Sequence, residues 1–237
     1  GISFHSKLSK NVKYKIFGNT NLIKPLIKKY NIPNERFTLK HTEKVVEGED
    51  SALSAAKKGK DTSLWLAIES LKNNETDAIV SAGNTGALFL ISKLNLKMIK
   101  NIDKPALSAL WPSKKNMNVV LDLGANIECN VKNLVDFSIM GSALLKALFP
   151  NEIANVALLN IGSEELKGNA MIKETYQFLN ENNYSLFDFK GYIEGNNIME
   201  GNVNVIVADG FTGNIALKTA EGTSNFIISE LKKALTS

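Results

Sequence analysis

Four times along this 237-residue chain a short apolar run breaks at glycine and resumes with helical periodicity, and that recurrence limits the fold more than any single residue does. The runs are 77–81 (DAIVS), 118–122 (NVVLD), 155–161 (NVALLNI) and 203–208 (VNVIVA). Strands that read as continuous apolar runs and alternate with helical segments argue for an α/β fold with a mainly parallel sheet, covered on both faces. Right-handed crossovers then bring the strand-to-helix loops to one edge of the sheet.

The remaining pattern is consistent with that class. Lys13–Phe17 reads as a strand, Asn21–Tyr30 as a helix with Pro25 confined to its early turns, and Arg36–Lys40 and Lys44–Val46 as weaker strands. A short helix fits Ser51–Lys57, and Asp61 or Thr62 caps a helix carrying the stripe Leu64, Trp65, Ile68 and Leu71. Helices are expected over 84–96, 131–149, 169–180 and 214–235, with a further strand at 106–111 ended by Pro112. No linker or internal repeat interrupts residues 1–237, so one α/β domain is the economical reading.

Composition narrows the function classes. Hydrophobic residues make up 44% and charged residues 22%, ordinary for a globular protein. No run is long enough to span a bilayer, and the first residues lack the pattern of a signal peptide, so a cytoplasmic setting is expected. Cys129 is the sole cysteine, which leaves neither an internal disulfide nor a zinc cluster. The net charge of +4 is nearly all lysine, with Arg36 the one arginine, so anionic proteins or membrane surfaces suit it better than nucleic acid.

In an open parallel sheet, ligands bind beyond the carboxyl ends of the strands. Four loops meet that description: SAGNTGA at 81–87, DLGAN at 122–126, GSEELKGN at 162–169 and DGFTGN at 209–214. In the first, backbone N–H groups at a helix start favour an anion, with Gly83, Asn84, Thr85 and Gly86 as the cradle. Lys167 supplies a cation, while Asn126, Asn169 and Asn214 supply amide donors. Asp122 and Asp209 can orient those donors. Glu164 and Glu165 are weaker candidates, since a carboxylate repels phosphate. Dinucleotide, Walker, zinc-protease and serine-elbow motifs are absent. His5 and His41 lack a neighbouring nucleophile, and Cys129 lacks a histidine in its own motif. Donors without a side-chain nucleophile point to charge stabilisation, with the substrate supplying the nucleophile.

SAGNTGAL, DLGAN, NIGSEELKGN and DGFTGNIALKTAEG, in this order, together with IDKPAL and DSALSAAKKGKDTSLWLAIE, resemble the phosphate acyltransferase (PlsX) family of bacterial phospholipid synthesis. The resemblance covers nearly the whole chain. It implies a three-layer α/β/α sandwich similar to phosphotransacetylases, a homodimer, and transfer of a fatty acyl chain from acyl carrier protein to inorganic phosphate without a cofactor or metal. Lys167, Asn84, Asn126 and Asn214 would then act on the reacting groups. Gly83, Thr85, Gly86, Asp122, Asn169 and Asp209 would bind phosphate or arrange its ligands. The family's usual D-A-M-G-G-D type opening motif, G-G-A-x-L-L-G segment and late H-G-S-type motif do not occur in these residues. An apolar groove for the acyl chain is expected from Phe89, Leu94, Leu96, Met98 and Ile99. The helix 223–237, with Phe226, Ile227, Ile228, Leu231 and Leu235 beside Lys232 and Lys233, carries an amphipathic pattern suited to peripheral membrane contact. A coenzyme A dependent phosphotransacylase and a non-catalytic membrane scaffold are the alternatives.

Overall fold

The computed structural model describes residues 1–236. They group into two compact units, divided after Met98.

The first unit opens with a short helix α1 (Ile2–Leu8) that the periodicity had not indicated, followed by β1 (Tyr14–Gly18), α2 (Thr20–Lys29) and β2 (Phe37–His41). Strands β1 and β2 pair in parallel from Tyr14–Phe37 to Gly18–His41. Helices α3 (Ala52–Lys57), α4 (Ser63–Lys72) and α5 (Thr85–Asn95) complete the unit. Each starts at a side-chain cap: Ser51 accepts from the Ser54 N–H, Thr62 from Trp65 and Asn84 from Ala87. Ala55, Leu64, Ile68, Ala87 and Ile91 form its apolar centre.

Two expected strands are not formed. Lys44–Val46 is irregular, and so is 77–81, where Val80 is 99% exposed. An apolar run becomes a strand only when a neighbouring strand satisfies its backbone groups. Neither segment pairs with β1 or β2 or with any other described strand.

In the second unit, β3 (Ser108–Pro112), β4 (Met117–Leu121), β5 (Ala154–Asn160), β6 (Phe187–Glu194) and β7 (Val205–Val207) form one sheet in the order β3-β4-β7-β5-β6. Only β3 runs antiparallel to its neighbour. The long helix α6 (Val131–Leu148) follows β4, α7 (Ala170–Glu181) follows β5, and α8 (Gly210–Thr236) follows β7. Strand β6 was missed in the sequence. Its segment FDFKGYIE mixes charges with glycine because it lies at the sheet edge, where only Phe187 and Ile193 are buried.

Alternation along the central strands divides the core between two faces. Val119, Leu121, Val156, Leu158, Val205 and Val207 pack with Leu134, Phe137 and Leu145 of α6 and with Ile172 and Leu179 of α7. Val120, Ala157, Leu159 and Ile206 point the other way, toward Trp111, Ile198 and the Ala216, Leu217 and Ala220 side of α8. Helices therefore cover both faces, giving the three-layer α/β/α arrangement that the resemblance implies.

We propose that residues 1–237 form one cooperative domain. The two tryptophans, Trp65 in α4 and Trp111 in β3, fall one in each unit. Trp65→Phe and Trp111→Phe variants should show coincident urea transitions by fluorescence, as expected of one cooperative domain; separated midpoints would make the units independent domains.

Candidate functional site

Strands β4, β7 and β5 are parallel, so their carboxyl ends, and the three loops that leave them, share one edge of the sheet. The loop after β4 is organised by Asp122, which is fully buried. One carboxylate oxygen accepts from the N–H groups of Leu107 (3.0 Å), Gly124 (3.2 Å) and Ala125 (3.0 Å). The other accepts from the Asn126 backbone N–H and side-chain amide, both at 2.8 Å. The second amide hydrogen of Asn126 goes to the Pro105 carbonyl at 2.7 Å. Asp122 thus gathers the donors of its own loop, and Asn126 spends its amide hydrogens fixing that loop.

The start of α8 is fastened to this loop. The Gly210 N–H donates to the Asn126 carbonyl at 2.9 Å. Gly213 lies against the Asp122 carbonyl so closely that a side chain there would overlap backbone atoms. Asp209 caps the helix, accepting from the Thr212 N–H (2.9 Å) and hydroxyl (2.7 Å). Asn214, one turn in, lies beside Gly124 and is exposed, and its side chain makes no hydrogen bond among the described residues.

The loop after β5 is drawn together by Asn160, whose amide donates to the carbonyls of Gly162 and Lys167, each at 3.1 Å. Glu165 accepts from the Tyr176 hydroxyl at 3.0 Å, tying the loop to α7. Lys167 is exposed, with its ammonium in no ion pair among the described residues. Asn169 caps α7 through its side-chain oxygen, which accepts from the Ile172 N–H at 2.9 Å, leaving the amide hydrogens available.

Asn169 and Asp209, widely separated in sequence, line a single pocket of about 380 Å³. Its walls also include Met171 at the start of α7, Phe211 and Thr212 at the start of α8, and Ile127, Glu128 and Cys129 from the loop after β4. Two helix N-termini therefore border one cavity, and the N–H groups of Ala170 and Met171 in α7 and of Phe211 in α8 have no partner among the described residues. Ile127 and Phe211, 73% and 59% exposed, give that polar mouth an apolar wall. These liners were missed. The available signal was that Ile127, Met171 and Phe211 each stand within two residues of a loop's polar end, where a first helical turn would ordinarily be hydrophilic.

The expected groove residues Phe89, Leu94, Leu96, Met98 and Ile99 line neither this pocket nor the larger groove in the first unit. Leu96 packs on the apolar centre of the first unit, and Leu94 and Ile99 are exposed. Burial pushes the Cys129 thiol above its ordinary value, and the negative charge of Asp122 adds to the rise. A thiol held protonated is a poor nucleophile.

The 81–87 loop belongs to the first unit. Asn84 caps α5, and both of its amide hydrogens are used, on the carbonyls of Gly48 (3.0 Å) and Asp50 (2.7 Å). It serves there as a clamp on the 47–50 loop. Lys58, hydrogen-bonded to Asp50, and the Glu47 N–H hold the Asp50 carboxyl below the usual range. Gly83, Thr85 and Gly86 are exposed, and the Thr85 and Gly86 N–H groups have no partner among the described residues, so the anion-binding capacity of this helix start rests on backbone. His5 and His41 pair with the Tyr14 hydroxyl and with Thr20.

An α/β/α sandwich defines the fold class, and solved structures share that fold. The chain is similar to a phosphotransacetylase from Streptococcus pyogenes, with TM-score 0.66 and 16% identity over 94% of this chain and 77% of that one. It is also similar to one from Staphylococcus aureus, with TM-score 0.61 and 15% identity over 94% and 78%. Likeness at that level of identity speaks for the fold.

The family follows from sequence. The family model described as "Fatty acid synthesis protein" matches residues 1–237. The phosphate acyltransferase of Pelagibacter ubique is 66% identical over 236 residues, covering 100% of this chain and 70% of that protein. Those of Maricaulis maris and Paramagnetospirillum magneticum are 46% and 42% identical, over 94% and 98% of this chain and 64% and 66% of their own lengths. This chain belongs to the phosphate acyltransferase family and spans about two thirds of the length of these relatives.

Two outcomes follow from the packing of this edge. Gly213→Ala should destabilise the protein by about 3 kcal/mol, seen as a fall in Tm of roughly 6–12 °C; an unchanged Tm would mean that α8 can move away from the Asp122 carbonyl. Cys129 should react with iodoacetamide at pH 8 more slowly than a free cysteine, because its raised pKa leaves less thiolate at that pH. A rate equal to the free thiol would contradict the burial assigned to it.

Proposed function

We propose that the protein transfers an acyl group from the thioester of an acyl carrier protein to inorganic phosphate, giving an acyl phosphate for phospholipid synthesis. The observation that carries this reading is the pocket where the starts of α7 and α8 meet. It joins anion-binding backbone with an apolar wall, and the nearby thiol is held protonated. The names of the relatives support the same reaction.

A phosphate oxygen attacks the thioester carbonyl carbon. The carbonyl oxygen takes up negative charge, the carbon–sulfur bond breaks as the carbonyl re-forms, and the thiolate takes a proton as it departs. An enzyme for this reaction must hold a multiply charged anion beside the carbonyl and stabilise the oxyanion. The free amides of Asn169 and Asn214 and the free ammonium of Lys167 supply donors of the right kind. Asp122 and Asn126 keep the intervening loop in one conformation, and the first-turn N–H groups near Thr85 and Gly86 in the first unit offer a second anion cradle. No metal or organic cofactor enters this scheme.

The acyl carrier as donor, the homodimer and peripheral membrane contact belong to the same proposal. Phe226, Ile227, Ile228, Leu231 and Leu235 of α8 are all more than half exposed, which favours a partner surface along that helix. No helix among the described residues is long and apolar enough to cross a membrane. A coenzyme A dependent phosphotransacylase is the alternative, favoured by the shared fold alone.

The test is phosphate-dependent release of thiol from palmitoyl carrier protein, with acetyl coenzyme A as the competing donor. Lys167→Ala should lower the rate tenfold or more, equivalent to about 1.4 kcal/mol of transition-state stabilisation. A variant as active as the parent would remove Lys167 from the chemistry. Preference for acetyl coenzyme A would replace the donor, and release that does not depend on phosphate would overturn the reaction.

A further inference from the structure

Positive charge is distributed unevenly along this chain. Residues 1–46 hold ten of its 28 basic side chains but only two of its 24 acidic ones, and Glu35 is the sole carboxylate before residue 43. Part of that excess borders a groove of about 530 Å³ between α2 and β2. Ile27, Ile32, Phe37 and Leu39 line it with apolar surface, while Lys24 and Lys28, one helical turn apart, stand at its edge. Both lysines are exposed and neither forms an ion pair among the described residues. Lys29 follows directly, its ammonium over the Tyr30 ring at 5.6 Å. Arg36 is not available to an incoming anion, because its guanidinium donates to the carbonyls of Ser9 and Val12.

We infer that this groove is the docking surface for an acidic protein that inserts an apolar side chain between α2 and β2. That partner, on the function proposed above, is the carrier that brings the acyl group. Three properties of the surface select such an occupant. The apolar floor rewards burial of a side chain, which a free inorganic anion cannot supply. The excess charge extends well beyond Lys24 and Lys28, so it matches a macromolecule carrying many carboxylates more closely than a ligand carrying one. The surface is concave, whereas a membrane would press on a convex or flat one. Lysine without arginine suits a partner met through its field, captured and released quickly, rather than one gripped bidentately. A carrier that must leave after each turnover has that requirement.

Binding of unacylated carrier protein to the full chain is measured by fluorescence anisotropy at low and high salt, beside a Lys24→Glu/Lys28→Glu variant. Lys146→Glu, an exposed reversal on α6 with half that change in net charge, tests whether charge reversal away from the groove has the same effect. The double reversal should weaken binding at least tenfold and flatten its salt dependence, while Lys24→Arg/Lys28→Arg restores it and Lys146→Glu does not alter it. In turnover, the double reversal should raise KM for the carrier-borne donor and leave kcat unchanged. Binding that survives the double reversal, or falls equally with Lys146→Glu, overturns the assignment. So does a loss confined to vesicles of anionic lipid, which would make the groove a membrane contact. Carrier binding that depends on Lys24 and Lys28 in a protein that moves no acyl group would sustain the docking surface while rejecting the proposed reaction.

Discussion

The second unit depends on one buried carboxylate. Asp122 directly follows β4, an interior strand of the sheet, and draws five donors to itself, four of them backbone N–H groups. A carboxylate carried into a dry interior costs several kcal/mol unless donors meet it, so the loop has one conformation that satisfies the charge. That conformation presents the Asn126 carbonyl to the Gly210 N–H and leaves room only for a glycine at 213. The direction in which α8 departs is thereby set by an acid at the end of a strand on the other side of the same edge.

This explains why the candidate site combines fixed and free donors. Asn126 and Asn84 resemble Asn169 and Asn214 as residue types in glycine-rich loops, yet the first two have spent their amide hydrogens on backbone carbonyls and on the Asp122 carboxylate. The second two have not. A site that stabilises charge gains from donors that need not reorganise. Here Asn169 and Asn214 stand near the starts of α7 and α8, and the Asn126 carbonyl holds the start of α8 through the Gly210 N–H.

The sequence made the sheet legible where burial is uniform. The runs at 118–122, 155–161 and 203–208 are apolar on both faces because helices cover both, and each became a strand within a few residues of its expected bounds. The run at 77–81 has the same composition and formed none, since hydrophobicity marks a segment able to pair without supplying its neighbour. Strand β6 was hidden for the opposite reason: an edge strand half open to solvent needs few apolar residues. Among the site residues, the loops were found by their glycines and amides. Which amides are committed was not readable, because their partners at Gly48, Asp50 and Pro105 are carbonyls that any residue would offer. The apolar lining by Ile127, Met171 and Phe211 was passed over because attention to polar motifs treats the residues just beyond them as ordinary helix.

Val119 and Leu121 face one side of the sheet and Val120 the other, and Asp122 follows directly on the last residue of β4. Core and loop are thus set within one short stretch of chain. Deleting or inserting one residue in that strand would exchange its two faces and at the same time turn the carboxylate away from its donors. Length variation in this family should therefore be tolerated in the surface connections and excluded from 117–126, where the same residues set both the packing and the shape of the loop beyond it.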